Sequence, residues 1–203
     1  MVGNDVVDLE DRESAADATH PRFDERVFAA EELASLGRGR TAQRLRWVLW
    51  AAKESTFKAL KKLDPRAIFS PRRLVVQLET ESAGSVRVGE RLFSVRFTIH
   101  DGACHAVTSI DVDPRATIVS AIRRLAPDVA AEPRRAVRRL AIELLAPLLG
   151  VPTGELAIVS ERRVPHLRLA GRAAPVDLSL SHHGRFVAFA CAIGPAVTER
   201  LAG

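Results

Sequence analysis

Glu54 and Lys58 stand four residues apart in Trp50-Ala51-Ala52-Lys53-Glu54-Ser55-Thr56-Phe57-Lys58-Ala59-Leu60, inside a helix predicted over residues 41–63. At about 100° per residue, Leu45, Leu49, Ala52, Thr56, Ala59 and Leu63 fall on one stripe, the expected core face. Glu54 and Lys58 fall on the other side as neighbours. Trp47 and Trp50 project to that side too, so the pair is expected to be partly shielded from water. A shielded carboxylate beside an ammonium can serve metal-assisted phosphate chemistry. It can equally be an ordinary helix-stabilising ion pair. Spacing alone leaves both readings open.

Three other polar groups stand out. Residues 2–9 read as a short buried strand that carries Asp5 and Asp8, although aspartate is disfavoured in strands. Gly3-Asn4-Asp5 is also ordinary turn chemistry. Ser181-His182-His183-Gly184 reads as a polar turn between strands over 176–180 and 186–193. Arg134, Arg135, Arg138 and Arg139 crowd the first half of a helix predicted over 132–149. Such a face suits phosphate, or simply water.

The elements that must position these groups form two similar runs. A helix over 24–36, stopped by Gly37 and Gly39, precedes the long helix, which ends before Asp64-Pro65. Strands follow over 74–78, 85–88, 93–99 and 104–110, the last two joined by an Asp101-Gly102 turn. Residues 111–114 read as a join. The arginine helix comes next, then strands over 156–160, 166–169, 176–180 and 186–193. Helix, strands and hairpin thus occur twice. This predicts an α+β fold of two similar halves, over residues 1–113 and 114–203.

With 203 residues, 47% of them hydrophobic, the chain can build a core. A net charge of +5 favours anionic partners: nucleic acid, phosphorylated cofactors or an acidic protein. Cys104 and Cys191 lie in apolar runs and are expected to be buried thiols of a reducing compartment. The N-terminal residues hold no apolar signal core, and no run is long enough to span a membrane. A cytoplasmic location without a membrane partner is expected. Nucleic-acid binding would require aromatics interleaved with the arginines. The chain has no tyrosine and the arginine helix has no aromatic residue, which argues against that alternative.

Gly3-Asn4-Asp5-Val6-Val7-Asp8, Trp50-Ala51-Ala52-Lys53-Glu54-Ser55 with Lys58, and Leu180-Ser181-His182-His183-Gly184-Arg185 together resemble the 4′-phosphopantetheinyl transferase superfamily. Members carry a Gly-x-Asp strand, a Trp/Phe-x-x-Lys-Glu-Ala/Ser-x-x-Lys helix and a Ser-His-Ser-like turn. Phe28 and Glu32 are similar to the family's Phe-x-x-x-Glu stretch before the motif helix. The resemblance implies two pseudo-twofold-related lobes, each a small antiparallel sheet on a long helix. It implies transfer of 4′-phosphopantetheine from coenzyme A to a serine of an acidic apo acyl or peptidyl carrier protein. This is holo-acyl-carrier-protein synthase activity, used in fatty acid, polyketide or nonribosomal peptide biosynthesis. By the resemblance, Mg²⁺ sits on Asp5 and Glu54, and Glu54 is also the base for the serine hydroxyl. Lys58 steadies or protonates the leaving 3′,5′-ADP phosphate. Ser181 and His182 meet the pyrophosphate, and Arg134, Arg135 and Arg138 are candidates for the 3′-phosphate.

Two departures from the family pattern matter. Two-lobed members place a second acid two residues after the first aspartate, where this chain has Val7. The smaller holo-acyl-carrier-protein synthase type is also apolar there, and a water can complete the metal shell. The family's Gly-Lys-Pro segment on the adenine side stands here as Arg163-Val164-Pro165, so Pro165 carries over and Arg163 is the substitute cation. The motif order also differs from that of two-lobed members and looks like a circular permutation of it. Both halves lie in one chain, so a monomer is expected. A carrier-binding relative without catalysis is the remaining alternative, against which the retained Asp5, Glu54 and Lys58 argue.

Overall fold

In the computed structural model, residues 1–127 and 130–195 are described. Among them, strand β1 (Val2–Asp8) leads to helices α1 (Phe23–Val27), α2 (Ala30–Ser35) and α3 (Arg40–Leu63). Strands β2 (Val75–Leu78), β3 (Ala83–Val88), β4 (Arg91–His100) and β5 (Ala103–Ser109) follow. The second run is β6 (Thr117–Arg124), α4 (Pro133–Leu148), β7 (Leu156–Glu161), β8 (Val164–Leu169), β9 (Arg172–His183) and β10 (Phe186–Ile193).

The first sheet has the order β1-β5-β4-β3-β2 and the second β6-β10-β9-β8-β7. Each run is therefore one strand, a long helix and four meandering strands, the last of which pairs with the first. Alternation sets the inner faces. In β4, Phe93, Val95 and Phe97 are buried while Leu92, Ser94 and Arg96 are exposed. Val48, Leu49, Ala52 and Ala59 of α3 close one core with them. Leu140 and Leu145 of α4 close the other with Leu178 and Phe189. Cys104 and Cys191 sit one in each core, fully buried, and burial pushes both thiols up to about 12. No helix among the described residues is long and apolar enough to cross a membrane.

Three elements differ from expectation. The helix expected over 24–36 is two short helices, because Phe28 between them is extended (φ −103°, ψ 143°). Val27 and Phe28 are both buried at this break, against the core closed by α3. Strand β6 lies where no element was expected. It is an edge strand with mixed exposure, so its sequence lacks clean alternation. Ser181, His182 and His183 are the end of β9 rather than a turn. The turn is Gly184-Arg185, and His183 already pairs with Phe186.

The two sheets meet at the outer edge of β1. An edge strand leaves alternate N–H groups unpaired. Side chains of β9 take them: Asn4 N donates to Ser179 Oγ (3.0 Å), Val6 N to Ser181 Oγ (3.2 Å) and Asp8 N to His183 Nδ1 (3.0 Å), while Val2 N donates to Asp177. Lys62 of α3 adds a cation, donating to Asp177 Oδ1 (2.7 Å) and to the carbonyls of Val2 and Leu178. At the far end the buried Asp8 carboxylate binds Arg185 through two hydrogen bonds of 2.7 and 2.8 Å. Ala192 of β10 lies opposite Asp177, so the end of β10 and the start of β1 are adjacent.

The inner face of β1 rests on α3 with no room to spare. A Cβ on Gly3 would lie 2.0 Å from the Ser55 carbonyl oxygen and 2.8 Å from Ala59 N. Both are backbone atoms, which cannot rotate away. Gly3→Ala should therefore destabilise the protein by about 3 kcal/mol, read as a lowered urea midpoint. Asp5 on the same face should shift with the strand, so activity of the folded fraction should fall too.

Candidate active site

Alternation places Gly3, Asp5 and Val7 on the α3 side of β1. Lys58 meets Asp5 there: its Nζ donates to Asp5 Oδ1 (2.9 Å), to the Asn4 carbonyl (2.9 Å) and to Ser181 Oγ (3.2 Å). Ser181 Oγ donates in turn to the same Asp5 oxygen (2.8 Å). Three elements, β1, α3 and β9, thus converge on one carboxylate. The ion pair of Lys58 is with Asp5 and not with Glu54, its helix neighbour.

Glu54 shares this space. Burial, and secondarily the Asp5 carboxylate, push its carboxyl from an ordinary 4.5 up to about 7, against the pull of Lys58. Trp50 and Phe57 lie one turn before and after it on the helix. Both rings pack on Phe69, at 5.7 and 4.9 Å between centroids. Val7, where a second acid would sit, belongs instead to the core beneath α3.

His182 emerges from the other face of β9, next in sequence to Ser181 but pointing away from it. Burial, and then the nearby Arg134, push its imidazole pKa down, which favours the neutral ring. Of the helix arginines, Arg134 is the one whose charge acts on His182. Arg138 is anchored to Ser160 Oγ (3.0 Å). Arg135 points into solvent with its side chain 85% exposed and pairs with Glu132.

A cavity of about 350 Å³ opens beside Lys58, between α3 and the tip of the β7–β8 hairpin. Lys61, Lys62, Arg163, Pro165 and Leu180 are among its walls. It has cations on two sides and an apolar floor, which suits an anion carrying a flat apolar group. Arg163 and Pro165 are therefore brought to the same groove as Lys58.

Several residues of this seam escaped the sequence reading. Lys62 and Asp177 were missed, although the polar alternation Asp177, Ser179, Ser181, His183 in an otherwise apolar strand was a visible signal. Lys53, next to Glu54 but turned toward α2, is fully buried. It binds Glu32 Oε2 at 2.7 Å and the carbonyls of Pro71 and Leu74. Glu32 also accepts from Ala29 N and Val76 N. This saturated pair fixes the turn of α3 that carries Glu54, and it explains why Phe28 and Glu32 accompany the lysine–glutamate helix.

A family model described as the 4′-phosphopantetheinyl transferase superfamily matches residues 1–119. That span holds Asp5, Glu54 and Lys58 with both elements that carry them. The chain belongs to the 4′-phosphopantetheinyl transferase superfamily. Phosphopantetheinyl transfer is the general chemistry of that superfamily, and the two-sheet α+β fold is consistent with its two-lobed build. Ser181, His182 and the arginines of α4 lie outside the matched residues. No curated protein matches the chain.

Mg²⁺ is the metal that this resemblance implies. No cluster of three or more His, Cys, Asp or Glu gathers among the described residues, so an all-protein cage is not what the chain offers. Asp5 and Glu54 offer two hard carboxylates that repel each other, and Asp5 is paired with Lys58, which lines the basic groove. Mg²⁺ is typically held by one or two carboxylates with water and substrate phosphates completing the octahedron, and this donor set fits that pattern.

Proposed function

We propose that the protein moves 4′-phosphopantetheine from coenzyme A to a serine of an apo acyl or peptidyl carrier protein, with Mg²⁺ at Asp5 and Glu54. The convergence of Asp5, Glu54, Lys58 and Ser181 at the meeting of β1, α3 and β9 carries this reading. Bound there, the ion supplies positive charge for the pyrophosphate. Glu54 accepts the proton of the serine hydroxyl. The serine oxygen then bonds to the phosphorus that bears pantetheine. The bond from that phosphorus to the bridging oxygen breaks, and its electron pair leaves with 3′,5′-ADP. Lys58 meets the charge on the departing phosphate and can give it a proton. Ser181 keeps Asp5 oriented, and His182 with Arg134 borders the phosphate path.

On this proposal the chain completes its own site as a monomer, with lobes over 1–113 and 114–203. The adjacency of Ala192 and Val2 supports a circularly permuted order. Incubation with coenzyme A, Mg²⁺ and a panel of apo carrier proteins, followed by intact mass, tests the activity. A gain of one phosphopantetheinyl group on at least one carrier is expected. Carrier binding without any mass change would overturn catalysis in favour of a carrier-binding role.

A further inference from the structure

The segment between α3 and β2, residues 64–73, carries Ile68 with 87% of its surface exposed. A single exposed isoleucine needs no explanation by itself. Two observations set this one apart. Its backbone is held on both sides. Ala67 N donates to the Asp64 carbonyl (3.0 Å), Lys61 Nζ to the Ala67 carbonyl (2.8 Å), and the buried Lys53 ammonium to the Pro71 carbonyl (3.0 Å). It is also continuous with other apolar surface. Phe69, the next residue, packs its ring on Trp50 and Phe57, and all three rings are only half-buried. Ile68 therefore extends an apolar stripe along α3, on which Trp50 precedes Glu54 by one turn and Phe57 follows it by one.

The rim of this stripe is basic. Arg66, Arg72 and Arg73 are exposed, and none of them pairs with a carboxylate among the described residues. An apolar, aromatic centre inside a rim of arginine is the make-up of a protein-docking surface. Guanidinium groups left unpaired on such a rim suit carboxylates on the partner. Because the stripe leads to Glu54, the protein that covers it is the one that brings the serine.

We propose that Ile68, with Arg66, Arg72 and Arg73 around it, is a docking surface for the apo carrier protein and selects carriers that present an apolar hollow ringed by carboxylates beside the modified serine. This rests on the transfer reading above. Initial rates read by intact mass test it, with one carrier from the panel and coenzyme A each varied in turn. The proteins compared are the wild type, Ile68→Ser, and a variant combining Arg72→Ser with Arg73→Ser. Each variant should raise KM for the carrier by about tenfold, the scale of a truncated interface anchor. Turnover at saturating carrier and KM for coenzyme A should stay within about twofold, the pattern of lost binding that is equal in ground and transition states. Wild-type KM for the carrier should also rise with salt, and the arginine variant should lose most of that rise. A wild type that modifies no carrier overturns the transfer reading, and the docking surface with it. An unchanged carrier KM in both variants overturns the docking surface alone. Lost turnover or a raised KM for coenzyme A places the segment in the site itself, which also overturns it. So does self-association of the wild type in light scattering that Ile68→Ser abolishes without moving the carrier KM.

Discussion

Glu54→Gln should lower turnover by about a hundredfold or more at saturating Mg²⁺. Glutamine keeps the shape of the side chain and the packing around Trp50 and Phe57. It removes a charge that a hard cation needs and the group proposed above to accept the serine proton. The same substitution should raise the stability of the cation-free protein at pH 8. The carboxyl titrates near 7 in the fold against an ordinary 4.5. Between those values the native state holds a proton that the unfolded chain has lost, so stability falls as pH rises through that window. The rise corresponds to at most about 3 kcal/mol. Wild-type melting temperature without divalent cation should therefore decline from pH 5 to pH 8, and the Gln variant should lose that part of the slope. Near-normal turnover of the variant would rule out both roles for Glu54.

The reactive side chains were legible from spacing because α3 is long and regular. An i, i+4 pair on a helix has only one geometry, so Glu54 and Lys58 had to be neighbours. What spacing could not supply was their partners. Lys58 spends its charge on Asp5, 53 residues away in sequence, and on Ser181, 123 residues away. Those contacts exist because β1 is an edge strand whose free N–H groups need acceptors, and β9 presents hydroxyl, carboxylate and imidazole at every second position. The pattern was readable in β9, but its meaning depends on which strand lies alongside. Ser181 illustrates the difference. Its neighbour His182 suggested a shared turn and a shared ligand, yet a strand sends the two side chains to opposite faces.

Burial explains the remaining gaps. Lys53 is a charged residue beside Glu54 in sequence, and nothing local marks it as the fully buried one. Its cost is offset only because Glu32 and two carbonyls satisfy the ammonium, and those groups come from α2 and the segment before β2. Strand β6 was invisible for the opposite reason: it is half exposed on both faces, so neither a period of two nor a continuous apolar run develops.

Lys58→Ala should cost turnover by about a hundredfold, and the structure changes how that loss must be measured. An exposed helix ion pair would contribute about 1 kcal/mol or less. Lys58 is instead the cation of a partly buried seam: Asp5 has only 12% of its side chain exposed and Lys58 30%. Removing the ammonium leaves the Asp5 carboxylate with Ser181 as its remaining side-chain donor, so a stability loss of about 1–3 kcal/mol is expected. A lower melting temperature therefore does not by itself assign the residue to the fold. Two comparisons do separate the roles. Turnover should be measured well below the melting transition of the variant, where a purely structural lysine would leave it unchanged. Melting should also be followed with and without Mg²⁺. Asp5 and Glu54 without Lys58 form a more negative pocket, so the alanine variant should gain more stability from the ion than the wild type does. Lys58→Arg should recover part of the turnover, because charge returns while the fork geometry and very high pKa of arginine hinder proton transfer to the leaving phosphate. Full turnover of the alanine variant together with a lowered melting temperature would confine Lys58 to holding β1, α3 and β9 together.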